Sequence, residues 1–270
     1  MEYRPLCKKC DKVSVVGMGT YYDPLWIVLS RFNVFRGAEE KVKAIKAGIE
    51  HGINFIDTAE LYGSEHLVRE AIKEYKRDQL FIATKVWRSH LKREQVLKAI
   101  DGSLRRLGLT YVDLYQIHFP SYTVPIEETI HAMEDLVDKG KVRYIGISNF
   151  SLEKMKKAVE SFRKYELAST QMNYSLANRE IERDIIPFCR ENGIGVIAYY
   201  PLGHGKLIRN REVNDVAKRL GKTPAQVVLN WVINKGAFPI PRASRESHVI
   251  DNVLSAGWEL SPEDIRQLES

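Results

Sequence analysis

Residues 111–150, YVDLYQIHFPSYTVPIEETIHAMEDLVDKGKVRYIGISNF, predict a strand, a helix and a second strand in succession. The two strands are expected at Val112–His118 and Val142–Ser148, because both runs are short and rich in β-branched and aromatic residues. The apolar residues between them recur at the spacing of one helix face: Ile126, Ile130, Met133 and Val137. This order is typical of a βαβ unit in a parallel sheet.

The same alternation extends along the rest of the chain. Six more runs resemble strands: Val13–Met18, Asn54–Asp57, Leu80–Lys85, Ala168–Met172, Gly195–Tyr199 and Ala237–Ile240. Eight strands with helices between them, in a chain of 270 residues, predict an α/β fold of the (β/α)8 TIM-barrel type. We expect one domain over residues 1–270, with a short N-terminal β-hairpin before Val13 at the barrel bottom. A doubly wound open sheet is the alternative.

Helix faces and helix starts support the alternation. Two more sets of residues lie at helical spacing: Val96, Ile100, Leu104 and Leu107, and Leu152, Met155, Val159 and Phe162. Thr223-Pro224-Ala225-Gln226 resembles a capping box, and Ser261-Pro262-Glu263-Asp264 opens a final helix in a similar way.

The segment Tyr21–Arg36 departs from the alternation of strands and helices. It is an unusually long connection after the first strand, which is typical of a functional or contact loop.

Composition excludes several classes of protein. The net charge is +6, but no run of five like charges occurs, so nothing indicates a nucleic-acid partner. No apolar stretch approaches the ~20 residues of a membrane span, and the N-terminus lacks the apolar region of a signal peptide. We therefore expect a cytoplasmic protein without a membrane partner, either a monomer or a weak homo-oligomer.

The three cysteines do not predict a metal site. Cys7 and Cys10 form a C-x-x-C, but no second pair supplies the four ligands of structural zinc. Two surface thiols in a turn are the leading interpretation. A local disulfide and a weak metal contact are the alternatives.

Polar residues end three consecutive predicted strands. Asp57 ends the second strand and Tyr62 follows it, Lys85 ends the third, and His118 ends the fourth. Each has an ordinary explanation when taken alone, such as turn capping, solvation or packing. In a TIM barrel, however, the carboxyl ends of the strands meet at the catalytic face, so these four side chains are expected together.

The four residue types suit the reduction of a carbonyl group. That reaction needs a proton donor, and a free tyrosine with a pKa of about 10 is a weak acid at neutral pH. The ammonium of Lys85 is expected to lower the pKa of Tyr62, with Asp57 holding the lysine in place. His118 would orient the carbonyl oxygen and stabilise the charge that develops on it.

Three segments resemble the signatures of the aldo-keto reductases: GINFIDTAELYGSE at 52–65, GKVRYIGISNF at 140–150 and IPRASRESHVIDN at 240–252. The similarity runs from about Val13 to about Asn252. It implies a (β/α)8 barrel, dependence on NAD(P)H and reduction of aldehydes or ketones. It also implies that Asp57, Tyr62, Lys85 and His118 are the catalytic residues.

The resemblance also implies a set of cofactor contacts. Ser148, Asn149 and Gln171 would hold the nicotinamide amide, Tyr199 would stack on its ring, and Arg242 would bind the 2′-phosphate. The other expected contacts are Gly19, Thr20, Asp57, Pro201, Leu202, Ser244, Arg245, His248 and Asn252. We expect NADPH because Arg242 suits a 2′-phosphate, and NADH remains possible because His248 stands where better-known NADPH-binding members have arginine. Tyr200 stands where many members have the serine that contacts the diphosphate. Gly17-Met18-Gly19-Thr20 lacks the third glycine of a dinucleotide fingerprint, and we interpret it as a tight turn.

The sequence ends at Ser270 directly after its last predicted helix, so we do not expect the long C-terminal tail that closes the substrate pocket in aldose reductase and its relatives. We therefore expect an open pocket, with Tyr21–Arg36 supplying the missing wall. The expected substrate contacts are Tyr21, Trp26, Trp87, His118 and Phe119.

The predicted function is hydride transfer from NAD(P)H to a small-molecule aldehyde or ketone, with Tyr62 as proton donor, in the manner of an NADP(H)-dependent alcohol dehydrogenase. The alternative is a cofactor-sensing binding protein similar to channel β-subunits, which the complete tetrad disfavours. A hydrolase or isomerase using Asp57 and His118 would leave Tyr62 and Lys85 without a role.

Overall fold

The computed structural model describes all residues from Met1 to Ser270. Ten strands are present: β1 Tyr3–Pro5, β2 Lys12–Ser14, β3 Met18–Gly19, β4 Phe55–Asp57, β5 Phe81–Val86, β6 Val112–Ile117, β7 Val142–Ser148, β8 Leu167–Asn173, β9 Gly195–Tyr199 and β10 Phe238–Pro239. Eleven α-helices accompany them: α1 Pro24–Ser30, α2 Ala38–Glu50, α3 Glu65–Ile72, α4 Arg93–Leu107, α5 Ile126–Asp138, α6 Leu152–Glu160, α7 Ile185–Asn192, α8 Arg211–Leu220, α9 Pro224–Asn234, α10 Glu246–Val253 and α11 Pro262–Glu269.

Strands β3 to β10 form one parallel sheet in which each strand pairs with the next along the chain. The sheet curls until its first and last strands meet. There the Gly17 amide donates to the carbonyl of Pro239 at 2.9 Å, and the Gly19 amide donates to the carbonyl of Pro241 at 3.2 Å. The predicted (β/α)8 barrel is confirmed, and the open-sheet alternative is wrong.

The G-x-G at the first strand serves this closure. A Cβ atom on Gly17 would lie 2.8 Å from the side chains of Phe55 and Ile240, and one on Gly19 would lie 2.8 Å from the carbonyl oxygen of Ile240. Neither glycine adopts a positive φ. The prediction of a tight turn is therefore corrected: these glycines let the first and last strands approach each other closely.

The predicted first strand, Val13–Met18, divides into two parts. Val13 belongs to the N-terminal hairpin, where it pairs with Arg4 of β1, and only Met18–Gly19 enters the barrel. Val15 and Val16 lie between the two parts and are fully buried. A buried connection has the same apolar pattern as a strand, which explains the wrong boundary. The hairpin itself is confirmed as β1 and β2.

Helices with one apolar face cover the barrel. The predicted face of α4 is buried throughout, and the buried Ile130 and Met133 of α5 face the core. Both predicted capping boxes are present, at Thr223–Gln226 and at Ser261–Asp264. None of the eleven helices combines the length and the apolar character that a membrane crossing requires.

The segment Tyr21–Arg36 contains a helix instead of an extended loop. Asp23 caps the start of α1 by accepting the Trp26 amide at 2.7 Å, and Pro24 occupies the first turn. Trp26 is buried and packs against the rings of Tyr22, Phe35 and His66. This aromatic cluster attaches the segment to the start of α3.

The C-x-x-C motif forms a disulfide between Cys7 and Cys10, in the turn between β1 and β2. The leading interpretation of two free thiols is therefore wrong, and the alternative of a local disulfide is correct. Cys189 is the free cysteine, and it is buried.

Candidate active site

Four buried side chains meet at the carboxyl ends of neighbouring strands. Asp57 ends β4, Lys85 is the penultimate residue of β5, and His118 directly follows β6. Tyr62 lies in a short 3₁₀ turn, Glu60–Tyr62, after β4. Parallel pairing of β4 with β5 and of β5 with β6 brings these strand ends to one rim.

The four groups form one connected cluster. The Lys85 ammonium lies 2.6 Å from Asp57 Oδ2 and donates to the carbonyl of Thr58 at 2.9 Å. The same nitrogen lies 3.4 Å from the hydroxyl oxygen of Tyr62, and this hydroxyl lies 3.4 Å from His118 Nε2. The Tyr62 hydroxyl therefore lies between a cation and an imidazole.

Burial decides the protonation of this cluster. It lowers the pKa of His118 to about 2, with the Lys85 charge adding to the effect, so His118 is a neutral imidazole near neutral pH. Burial also raises the pKa of Tyr62 well above its ordinary value, and the Asp57 carboxylate raises it further. The expectation that Lys85 would lower the pKa of Tyr62 is therefore corrected, since burial and Asp57 outweigh the lysine.

Burial also lowers the pKa of Lys85, but the carboxylate of Asp57 opposes that change by charge and by hydrogen bonding. The other oxygen of Asp57 accepts the side-chain amide of Gln171 at 2.8 Å and that of Gln116 at 3.3 Å. One buried carboxylate thus has three donors, an ammonium and two amides.

Gln116 is a site residue that the sequence analysis missed. It is fully buried in β6, two residues before His118. Because side chains alternate along a strand, residues two apart share a face, so its spacing from His118 was the available signal.

Glu60 is a second residue that was missed. Its carboxylate accepts the backbone amide of Trp87 at 2.9 Å and contacts Nδ1 of His90 at 2.7 Å. These contacts attach the 3₁₀ turn that carries Tyr62 to the segment after Lys85. Glu60 therefore fixes the turn from which the Tyr62 hydroxyl extends.

A cavity of about 590 Å³ opens above the cluster. Its lining combines strand ends, the start of the α1 segment and the turn after β9. The residues are Gly19, Tyr21, Tyr22, Asp23, Pro24, Asp57, Tyr62, Gln171, Tyr199, Tyr200, Pro201, Leu202, His204, Gly205, Ile240, Pro241 and Arg242. Seven of the predicted cofactor contacts and one predicted substrate contact, Tyr21, are among them.

A chain of polar side chains continues beside the cavity. The Tyr199 hydroxyl donates to Asn149 Oδ1 at 2.7 Å, and Asn149 Nδ2 donates to Ser148 Oγ at 3.0 Å. The Ser148 hydroxyl in turn donates to the backbone carbonyl of Gln171 at 2.9 Å. Asn149 has a φ of 63° and Tyr200 a φ of 51°, conformations that cluster at functional sites.

Other predicted contacts lie outside the cavity lining. Thr20 is buried behind it, where its hydroxyl donates to the carbonyl of Asp57 at 3.0 Å. Arg245 and His248 are exposed at the start of α10, Ser244 is half-buried, and Asn252 is buried in α10.

The aromatic residues of the predicted substrate wall divide between two places. Trp87 and Phe119 pack around His118, with ring centroids 5.3 and 5.1 Å from the imidazole. Trp26 is instead buried against the rings of Tyr22, Phe35 and His66 and does not line the cavity.

Comparison with known proteins places this chain in a family. The family model described as "Aldo/keto reductase family" matches residues 36–270. The methylglyoxal reductase YeaE of Escherichia coli is 36% identical to the chain, with coverage of 85% of the chain and 83% of YeaE.

Two solved structures have the same fold. The thermostable aldo-keto reductase Tm1743, in complex with the inhibitor epalrestat, matches with a TM-score of 0.91 and 34% identity over 100% of this chain and 99% of its own. An aldo/keto reductase from Klebsiella pneumoniae, in complex with NADP and acetate, matches with a TM-score of 0.89 and 33% identity. The match covers 99% of this chain and 94% of the Klebsiella chain. These relatives give no support to the alternative of a cofactor-sensing binding protein. The chain belongs to the aldo/keto reductase family.

Proposed function

We propose that this protein reduces the carbonyl group of small aldehydes or ketones with NADPH, and that Tyr62 donates the proton. One observation carries the proposal: the Tyr62 hydroxyl lies 3.4 Å from both the Lys85 ammonium and His118 Nε2, at the floor of an open cavity. The finer assignment, to an alcohol dehydrogenase that uses NADP⁺, belongs to this proposal. So does the treatment of residues 1–270 as one functional domain.

The cavity fits a nicotinamide dinucleotide in size and in chemistry. Its volume of about 590 Å³ lies within the range of small-molecule sites. The half-buried Tyr199 offers an aromatic ring beside the amide and hydroxyl groups of Asn149, Ser148 and Gln171. These residues would hold the nicotinamide end. When bound, the reduced cofactor supplies the hydride.

Arg242 suits the phosphate end of NADPH. It lines the cavity shortly after β10, and its side chain is exposed. The Gly19 backbone reaches the same place through a parallel bridge with Arg242. A guanidinium binds phosphate oxygens with two parallel hydrogen bonds, which favours NADPH over NADH. The more distant Arg245 and His248 would assist from the start of α10.

The side chains divide the work of proton transfer. Burial keeps the Tyr62 hydroxyl protonated until negative charge develops on the substrate oxygen. The Lys85 ammonium then stabilises the phenolate that remains after the proton has left, and Asp57 holds that ammonium in place. The neutral His118 offers Nε2 to the substrate oxygen without adding a positive charge.

The shape of the site favours small substrates with adjacent polar groups. Tyr21, Tyr62 and Tyr200 line the cavity together, with the Tyr21 ring centroid 5.2 Å from that of Tyr62 and 6.2 Å from that of Tyr200. Their hydroxyl groups suit a dicarbonyl such as methylglyoxal, which the name of the Escherichia coli relative also suggests.

The test follows absorbance at 340 nm with NADPH, and separately with NADH, against methylglyoxal, benzaldehyde and a pentose. We expect consumption of NADPH with at least one carbonyl and slower consumption of NADH. Tight binding of NADPH without turnover on any of the three would contradict the proposal and favour a sensing role.

A further inference from the structure

The disulfide between Cys7 and Cys10 lies at the opposite end of the barrel from the candidate active site, in the hairpin that covers the barrel bottom. It encloses only Lys8 and Lys9, so it constrains the unfolded chain far less than a bond across a long loop would. The disulfide therefore contributes little to the stability of the fold.

Other contacts hold the turn without the disulfide. The Lys8 amide donates to the carbonyl of Gly193 at 3.0 Å, and the Leu6 amide donates to that of Asp11 at 3.2 Å. Lys9 pairs with Glu166 at 2.5 Å. The Leu6 side chain is buried among the residues that fill the barrel bottom. Opening the sulfur–sulfur bond would therefore leave the hairpin attached to the barrel.

Cys7 lies between two cavities, and Cys10 lines neither. One cavity, of about 410 Å³, has four cationic residues in its lining and no carboxylate: Arg4, Lys8, Arg190 and Lys235. The other, of about 180 Å³, is lined by Lys8, Lys9, Arg143, Lys164 and one carboxylate, Glu166. Cationic residues therefore line both of the cavities that Cys7 borders.

Most of these cations already have partners. Arg4 pairs with Glu2, Lys235 with Glu269, Lys164 with Asp138, and Arg143 with Asp11 and Asp113. Lys8 and Arg190 form no ion pair, and both line the larger cavity together with Cys7. Two unpaired cations beside a half-exposed disulfide suit a ligand that carries both a thiol and negative charge.

We propose that Cys7 is a thiol–disulfide exchange site for an anionic low-molecular-weight thiol, which Lys8 and Arg190 attract. The thiolate of the incoming molecule attacks Cys7 Sγ and forms a new sulfur–sulfur bond with it. The bond to Cys10 breaks, and its electron pair leaves on Cys10 Sγ, which takes a proton from water. The number of disulfides is unchanged, so the step needs no further oxidant.

The test treats the folded, full-length protein with glutathione and with 2-mercaptoethanol, a neutral thiol, and then blocks free thiols with iodoacetamide. Peptide mass spectrometry locates the adduct, and circular dichroism verifies that the protein stays folded. We expect glutathione on Cys7 and the iodoacetamide label on Cys10. In the double variant Lys8→Ser/Arg190→Ser, the ratio of the glutathione rate to the 2-mercaptoethanol rate should fall about fivefold or more.

Lys12→Ser is the matched control, because Lys12 is exposed on the same hairpin but lines neither cavity. Its rate ratio should equal that of the native protein. Three results would overturn the proposal: an adduct on Cys10, no adduct before the chain unfolds, or one rate ratio shared by all three proteins.

Discussion

The ammonium of Lys85 and the carboxylate of Asp57 form a buried ion pair, with Lys85 Nζ 2.6 Å from Asp57 Oδ2 and neither side chain more than 2% exposed. Removing one member of such a pair costs far more than a surface ion pair is worth, because the remaining charge stays buried without compensation. The pair therefore connects the stability of the barrel to the chemistry at Tyr62.

Replacing Lys85 by methionine should damage both properties. We expect kcat to fall by at least about a hundredfold, because the developing phenolate of Tyr62 loses its nearest cation. The free energy of unfolding should fall by about 3–5 kcal/mol, because Asp57 is left as an unpaired buried charge. Urea unfolding and the rate of NADPH oxidation measure the two effects.

The double variant Lys85→Met/Asp57→Asn separates these effects. It should recover a large part of the lost stability, because no buried charge remains, while activity stays low. If Lys85→Met alone were as stable as the native protein, the buried charge of Asp57 would not depend on Lys85 for compensation.

Gln116 should position Asp57 without contacting the substrate. Gln116→Leu removes one amide donor from Asp57, and we expect kcat to fall about threefold to tenfold at nearly constant KM, the effect of about one buried hydrogen bond. Thr170→Val is the control, since the buried Thr170 hydroxyl has no hydrogen-bond partner. Equal activities of the two variants, or a rise in KM alone for Gln116→Leu, would contradict the positioning role.

The neutral state of His118 predicts how stability depends on pH. The pKa of His118 is about 2 in the folded protein and about 6.5 in the unfolded chain, so between these values the unfolded state binds more protons. The His118 contribution to stability is complete above pH 6.5 and is lost as the pH falls. Between pH 6.5 and pH 5 the loss is at most about 2 kcal/mol.

His118→Asn should remove this contribution, so that its unfolding free energy changes less than that of the native protein between pH 7 and pH 5. Urea titrations at both pH values give the comparison. Parallel decreases in the two proteins would show that His118 is not held neutral by burial.

Arg242 should decide the choice between the two cofactors. Arg242→Gln is expected to raise the KM for NADPH about tenfold and to change the KM for NADH by less than about twofold, because only NADPH carries the 2′-phosphate. Arg245→Gln serves as the comparison, because Arg245 is exposed but does not line the cavity. If Arg245→Gln raised the KM for NADPH more than Arg242→Gln did, the 2′-phosphate would instead bind at the start of α10.

The sequence predicts the barrel well because the barrel follows simple periodic rules. Helical spacing marks the covering helices, and strand ends mark the rim to which Asp57, Lys85 and His118 are brought. Gln116 and Glu60 could not be predicted from the sequence, because their roles depend on hydrogen bonds to residues 27 to 59 positions away in the chain.

Burial explains the other errors. Trp26 has the residue type of a substrate wall, but only packing against Phe35 and His66 shows that it faces inward. The sequence shows the Lys85 cation near Tyr62 and therefore predicts a lowered pKa for the Tyr62 hydroxyl. Desolvation, which acts in the opposite direction, appears only once the fold encloses the hydroxyl.

The central claim is that Tyr62 donates the proton, and Tyr62→Phe tests it most directly. The measurement is the rate of NADPH oxidation with a carbonyl that the native protein reduces, together with the Kd for NADPH from quenching of protein fluorescence. We predict that the rate falls by at least about a thousandfold, while the Kd stays within about threefold of the native value. A variant that binds NADPH normally and keeps more than about a tenth of the native rate would contradict the claim.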